Sequence, residues 1–461
     1  MLPYIATAYS PNDVALISSC GNAVTYEELV AEANQWASKV AHPQKQLIFL
    51  YIPRSKQGVA CLLGLLHSNH AVALLDPSLN PPARQKLEEL YQPWACVAPD
   101  ESDSIQITIS NTHQRNEISP IHPDVSLMLS TSGSTGSPKF AKLSRSAVLA
   151  NARDIVEVLK IDKSDRGLAH LDFHYSYGLS ILTTHLSVGA SLAFPAGKFT
   201  DRNFWDDLRK LEATHVPGVP YHYQMMTRLG IQRLKIPSVV VMTQAGGRLA
   251  LDLQKQVHQY MDSIGGRFYV MYGQTEAAPR MSTLSHDDFV EKPGSVGPAL
   301  PSGEFIIRSE NNSTCAANEV GEVTFEGPNV MLGYAHSASD LSKGDENGGV
   351  LRTGDMGFLD ENGFLTINGR ASRMGKVFGW RINLDELEKA LEPLGCAAVL
   401  QKDEDIVVVN LVDTKPDAEK VRSFLVEQFA LPESVYAFAE VNEIPKNKRD
   451  KTDYAALAGL I

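Results

Sequence analysis

The chain has 461 residues, 43% of them hydrophobic, with 42 Lys and Arg against 54 Asp and Glu for a formal charge of −12. That length and apolar content suit about three structural units with sizeable cores, while the acidic balance excludes a general nucleic-acid or anionic-membrane surface and leaves any polyanionic ligand to a local site. Five scattered cysteines, Cys20, Cys61, Cys96, Cys315 and Cys396, have no CxxC or metal-ligand spacing and read as reduced, mostly buried thiols of a cytoplasmic protein. In chain order, the opening MLPYIATAYSPND lacks the basic and apolar regions of a secretory signal. TYEELVAEANQWASKV (25–40) predicts an amphipathic helix, LIFLYI (47–52) a buried strand, VACLLGLLHS (59–68) a core helix too short to span a bilayer, and AVALLDP (71–77) a strand ending in a turn. SLMLST (126–131) predicts another strand, and Ser144 caps a helix reaching Lys160, with Val148, Ala152, Ile155 and Leu159 on one face. The stretch between them, LSTSGSTGSPKFAKLS (129–144), reads as a strand-to-helix connection. This alternation predicts an α/β domain of helix-covered parallel sheet.

From about 294 to 370 the short segments EFIIRS, GEVTFEG and GFLTINGR, separated by Gly, Pro and Asn, predict a small β-rich subdomain. Beyond Arg370, a helix at LDELEKALEPL (384–394), strands within CAAVLQKDEDIVVVNLVD, a helix at DAEKVRSFLVEQFA (417–430) and a basic tail predict a smaller α+β domain over 371–461. The 129–144 stretch stands out chemically. Backbone N–H groups in a glycine-rich loop can surround phosphate oxygens, hydroxyls add donors, and a lysine adds a point charge. Ser130, Thr131, Ser132, Gly133, Ser134, Thr135, Gly136 and Lys139 supply all three, although a plain surface loop has the same composition. It is neither the common P-loop, because Gly133 and Gly136 are followed by Ser-Pro-Lys, nor a GxSxG nucleophile elbow.

The order of the motifs goes further. TSGSTGSPK, with TYEEL upstream, YGQTE (272–276) and RTGD (352–355) downstream, then GRASRMGKVFGWRI (369–382) and a lysine near the end, resembles the adenylate-forming superfamily of acyl-CoA synthetases, peptide-synthetase adenylation domains and firefly luciferase. The resemblance runs from about residue 25 to 457. It implies an ATP- and acid-binding domain over 1–370 and a mobile lid over 371–461, and an acid–thiol ligase reaction in two steps. A carboxylate attacks the α-phosphate of ATP to give an acyl-adenylate and pyrophosphate, then a thiol takes the acyl group and AMP leaves. Two anions meet in the first step; at about 4 Å and an effective dielectric near 20 their repulsion is roughly 4 kcal/mol, so cations must offset it.

By resemblance, Lys451 is the main catalytic cation, six residues after Pro445, with Lys448 as fallback and Asp450 in place of the usual glycine. Glu276 would hold Mg²⁺ on the phosphates with Thr275 as partner, Tyr272 would flank adenine, and Gly273 would leave room for the acyl group. Asp355 matches the carboxylate that accepts the ribose hydroxyls, and Arg370 the arginine that reaches ribose or phosphate. The hinge falls at Ser372, where Asp or Lys is more usual. Lys376 and Gly379 match positions brought into the site for the thiol step, Gly379 letting a pantetheine arm pass the backbone.

LDFHYSYGL (171–179) follows the acyl-CoA synthetase pattern, and His174 stands about where amino-acid-activating members carry an aspartate for the α-ammonium. A buried ammonium without that partner is costly, so an ordinary carboxylic acid, aliphatic or aryl, is expected as the small-molecule substrate rather than an α-amino acid. Tyr175, Tyr177, Ser180, Val219, Pro220, Ala245, Gly246, Gly247 and Ala277 are the expected pocket, the paired glycines leaving space beside the acid. GPNVMLGY (327–334) also resembles acyl-CoA synthetases. The acceptor thiol is CoA or the phosphopantetheine of an acyl carrier protein; no nucleic-acid partner and no integral membrane segment are expected. The alternatives are stand-alone amino-acid adenylation and a nucleotide-binding relative that no longer catalyses.

Overall fold

The computed structural model describes every residue except 1, 3, 7–8, 103, 110–119, 132–138, 371–372, 378–379, 403–404, 415, 430–432 and 448–451. The chain divides into two compact units, Met1–Phe305 with Phe325–Leu351, and Ile306–Thr324 with Arg352–Ile461.

In the first unit, Thr25 starts the helix Tyr26–Lys39 through a capping box: its side chain accepts from the Glu28 amide, and the Glu28 carboxylate accepts from the Thr25 amide at 2.8 Å. The helix buries Tyr26, Leu29, Ala33 and Trp36, one helical stripe. Full burial of a side chain the size of Leu29 stabilises by roughly 1.5–3 kcal/mol. The stripe meets the helix Lys56–His67, where a Cβ on Gly64 would fall 2.2 Å from the Ala33 carbonyl oxygen; only glycine permits that approach. Leu47–Tyr51 and Ala71–Leu75 are buried on both faces and pair in parallel, as their unbroken apolar runs require.

These strands sit in a seven-stranded sheet ordered Gly333–Ala335, Phe140–Leu143, Leu127–Ser130, Ala71–Leu75, Leu47–Tyr51, Ala95–Pro99, Ile105–Ile109. A second sheet of eight runs Arg280–Leu284, Arg267–Gly273, Val241–Gln244, His215–Gly218, Arg166–Leu168, Ser191–Phe194, Val14–Ser18, Ala23–Thr25. Both have parallel centres and antiparallel edges. The mixed α/β class expected from the alternation is the observed one.

One expectation is corrected. The 129–144 stretch does not run from strand directly to helix, because Phe140–Leu143 forms an extra strand, antiparallel to Leu127–Ser130 with Ser130 opposite Phe140. Ser144 then caps the helix Arg145–Leu159, its hydroxyl accepting from the Ala147 amide at 3.0 Å. Lys142 breaks the apolar pattern of this four-residue strand, yet it is fully buried: its Nζ donates to the carbonyls of Asp340 and Lys343 and pairs with Glu346 at 3.1 Å. Local sequence carries no sign of those partners.

A four-stranded sheet ordered Glu304–Arg308, Gly321–Glu326, Val350–Leu359, Leu365–Arg370 realises the strand-and-turn texture of 294–370. The second unit continues through a hairpin, Met374–Val377 with Trp380–Asn383, and a three-stranded sheet ordered Ala398–Lys402, Asp405–Leu411, Tyr436–Val441. The helices Leu384–Leu391 and Ala418–Phe429 contribute Leu387, Leu391, Val421 and Leu425 to a core with Val399, Ile406 and Val408. Among the described residues no helix is long and apolar enough to cross a membrane. All five cysteines are free; Cys61 and Cys396 are buried, Cys96 and Cys315 partly so, and Cys20 is exposed.

Candidate functional site

In the first unit the site grows from the neck of the hairpin. The Thr131 amide donates to the Lys139 carbonyl at 3.2 Å, closing the loop whose tip, Ser132, Gly133, Ser134, Thr135 and Gly136, lies outside the described residues. The Thr131 hydroxyl oxygen is buried with no hydrogen-bond partner among the described residues. Gly333–Ala335 pairs antiparallel with Phe140–Leu143, setting Tyr334 opposite Ala141 and beside the neck. Lys139 Nζ lies 3.6 Å from the centre of the Tyr334 ring, and the Tyr334 hydroxyl donates to Glu276 Oε1 at 2.7 Å. Lysine, tyrosine and glutamate thus form a relay from the loop neck to the YGQTE turn. Glu276 is half-buried, and its second oxygen has no protein partner among the described residues. A hard cation such as Mg²⁺ is commonly held by one or two carboxylates together with substrate phosphates, so this donor set fits it.

The 3₁₀ turn Thr275–Ala277 follows the strand Arg267–Gly273. A Cβ on Gly273 would sit 1.9 Å from the Pro279 carbonyl oxygen, so packing within the turn alone requires glycine there. The Thr275 hydroxyl is 3.1 Å from that of Ser176, the first residue of the helix Ser176–Ser187, while Tyr175 is that helix's N-cap and the half-buried His174 precedes it. On the expected acyl side, Gly246 has φ +82° and a Cβ on it would meet the Tyr175 hydroxyl at 2.3 Å, so that tyrosine takes the space expected beside the paired glycines; Gly247 is exposed. Val219 lies next to Gly246 and donates its amide to His222 Nδ1, while Ala245 and Ala277 are buried. The Ser180 hydroxyl is spent on the Tyr177 carbonyl. The Tyr177 hydroxyl contacts Thr243, and burial pushes its pKa up to about 12 against the opposing pull of Arg280.

Arg280 is a residue the motifs did not single out. It is 3% exposed, opposite Gly273 on the neighbouring strand, with its Cζ 4.6 Å from the Tyr177 ring centre. A charged residue within the buried strand RMSTL was the available signal. Tyr334, although inside the quoted GPNVMLGY, was likewise not singled out.

In the second unit, the strands Val350–Leu359 and Leu365–Arg370 set Asp355 opposite Arg370, and Arg370 Nε pairs with Asp355 Oδ1 at 2.6 Å. Asp355 is buried and its amide donates to the Thr353 hydroxyl at 3.0 Å, which in turn donates to the Val323 carbonyl. The Arg370 amide donates to Asp385 at 2.8 Å. Lys376 lies on the strand Met374–Val377 opposite Arg381. Ser372, Gly379, Lys448, Asp450 and Lys451 lie outside the described residues, but a bridge between Lys446 and Thr452 brackets the lysine segment, and Asp453 caps the short helix Tyr454–Ala458. Arg373, also missed, binds Asp385 at 2.7 Å, Glu388 at 2.9 Å and the Val399 carbonyl at 2.7 Å, and it stacks on Tyr454, whose hydroxyl donates to Glu388. Desolvation raises the Glu388 pKa, while Tyr454 and Arg373 oppose that rise.

Residues 5–335 match the family described as AMP-binding enzyme. A probable CoA ligase (CCL9) of Humulus lupulus is 30% identical over 273 residues, 58% of this chain and 51% of that protein. A 2-succinylbenzoate–CoA ligase of Bacillus velezensis is 29% identical over 337 residues, 71% of this chain and 67% of that enzyme. The chain thus spans about half the length of the first relative and two thirds of the second. In fold, it is similar to O-succinylbenzoate coenzyme A synthetase from Bacillus subtilis, solved with AMP, at a TM-score of 0.79 and 22% identity over 97% of this chain and 96% of that one.

Proposed function

The chain belongs to the AMP-binding enzyme family, and from that premise we propose that it is an AMP-forming acid–thiol ligase. A carboxylate oxygen attacks the α-phosphorus of ATP, the bond to the β-phosphate breaks, and pyrophosphate leaves. The sulfur of a thiol then attacks the acyl carbon, its proton is lost, and AMP leaves with the electron pair of the acyl–oxygen bond. Both curated relatives are named for CoA, which favours free CoA over a carrier-bound phosphopantetheine as acceptor.

The relay from Lys139 through Tyr334 to Glu276, at the neck of a hydroxyl-rich loop, supports this reading most directly. In it the Thr131 hydroxyl and Lys139 bind phosphate oxygens, and Tyr334 fixes the rotamer of Glu276. Glu276, with Thr275 beside it, would hold Mg²⁺, which supplies charge neutralisation on the phosphates. Asp355 binds the ribose hydroxyls with Arg370 aligned against it, and Tyr272 flanks the adenine. Lys451 is assigned to the carboxylate–phosphate step, and Lys376 and Gly379 to the thiol step, with 1–370 and 371–461 as the two working parts.

The test is product analysis with ATP, Mg²⁺, CoA and a panel of acids. AMP, pyrophosphate and thioester are expected in equal amounts and only with acid present. Release of ADP, or nucleotide turnover indifferent to the acid, would overturn the proposal.

A further inference from the structure

We propose that Arg280 is a carboxylate-binding subsite at the acyl side of the pocket, and that the acid activated here carries a second carboxylate. The assignment rests on the acid-activating reading above and narrows its substrate class.

The guanidinium is placed but not paired. Arg280 is 3% exposed, and its side chain makes no hydrogen bond or ion pair with any described residue; its Nε is buried without a partner. The Tyr177 ring at 4.6 Å is its described side-chain contact, and the Tyr177 hydroxyl is already committed to Thr243. Its backbone, in contrast, is pinned. The Arg280 amide donates to Asn151 Oδ1 at 3.1 Å, and its carbonyl accepts from Asn151 Nδ2 at 2.7 Å and from Asn329 Nδ2 at 3.0 Å, both asparagines being buried.

An arginine does not escape burial by losing its proton. A buried cation without a counter-charge is strongly unfavourable, and a face-on tyrosine offsets only part of that. The group that resolves the imbalance is planar, anionic and able to accept two parallel N–H bonds, which is a carboxylate. Position points to the substrate as its source. Arg280 touches Tyr177, Tyr177 stands edge-on to Tyr175 at 6.2 Å, and the Tyr175 hydroxyl covers Gly246 next to Val219. The reacting carboxylate would be a poor counter-ion through the whole cycle, because it loses its charge on becoming the adenylate. A second carboxylate keeps its charge through both steps.

Matched pairs test this: linear dicarboxylic acids and their half-amides, with the wild-type protein, Arg280→Lys and Arg280→Gln. Calorimetric binding reads the subsite without catalysis, and acid-dependent exchange of labelled pyrophosphate into ATP reads its use. The wild type should bind and activate at least one dicarboxylate on the order of 10²-fold better than its half-amide, chiefly through Kd and KM. Arg280→Gln should bring that ratio near one, and Arg280→Lys should keep part of it. Equal handling of every pair by the wild type, or equal loss of both partners in Arg280→Gln, would overturn the assignment and leave the guanidinium at the reacting carboxylate or in the fold. A binding preference without exchange from any acid would uphold the subsite and reject the acid-activating reading instead.

Discussion

Two arginines are buried among the described residues, one in each unit, and they are treated in opposite ways. Arg373 is saturated: two carboxylates, a carbonyl and a tyrosine ring surround it, and the same carboxylates hold the amides of Arg370 and Val399. Arg280 has a pinned backbone and an unanswered charge. A buried charge whose partners are supplied by the chain serves the fold; one whose partners are missing serves what binds. The second unit spends its buried cation on joining the stretch after Arg370 to the helix beyond Lys451, whereas the first unit keeps its own for a ligand.

The sharpest way to break this contrast is Arg373→Met. It would strand Asp385 and Glu388 and is expected to cost the second unit about 3–5 kcal/mol in chemical denaturation. A loss below about 1 kcal/mol would place Arg373 in the same class as Arg280.

Acid comes next. The described histidines all lie in the first unit, and burial holds His170 well below its ordinary pKa, His222 and His215 down to about 4, and His185, packed beside His215, down to about 3. These imidazoles are neutral in the folded state, so the unfolded chain binds more protons once the pH drops below about 6.5. Their stabilisation is complete above that value and is lost as pH falls from about 6.5 towards 4, by about 3 kcal/mol for His222 alone. The first unit's melting transition should fall over that window; a flat profile would mean that the cluster is solvated.

Smaller is Tyr334→Phe, which removes a hydrogen bond to a charged group and should cost about 1.5–3 kcal/mol, read as weaker Mg²⁺-dependent turnover rather than as unfolding. Smallest, and opposite in sign to Arg373→Met, is Arg280→Met: in ligand-free protein its unfolding free energy should stay within about 1 kcal/mol of wild type or rise, since an unpaired buried charge is replaced by an apolar group of similar length.

How much of this was legible beforehand follows the range of the interactions. The Thr25 cap, the stripe from Tyr26 to Trp36, the paired runs Leu47–Tyr51 and Ala71–Leu75 and the Ser144 cap are local patterns, and each could be read from the chain. Asp355 and Arg370 were named separately by motif, and the register of two strands pairs them. The strand Phe140–Leu143 escaped because Lys142 finds its partners about 200 residues away. Arg280 and Tyr334 meet groups 129 and 58 residues away, and Arg373, whose partners lie 12 to 26 residues on, falls in no motif that names them. Their significance lies in what surrounds them, or fails to, and spacing does not reveal it.

The most direct test of the central claim is exchange of labelled pyrophosphate into ATP, run with and without acid on the wild type and on Lys451→Ala. The account predicts acid-dependent exchange that drops on the order of 10²-fold or more in the variant, while thiol transfer from a supplied acyl-adenylate is largely kept. Silence with every acid in folded wild-type protein, or exchange untouched by Lys451→Ala, would contradict it.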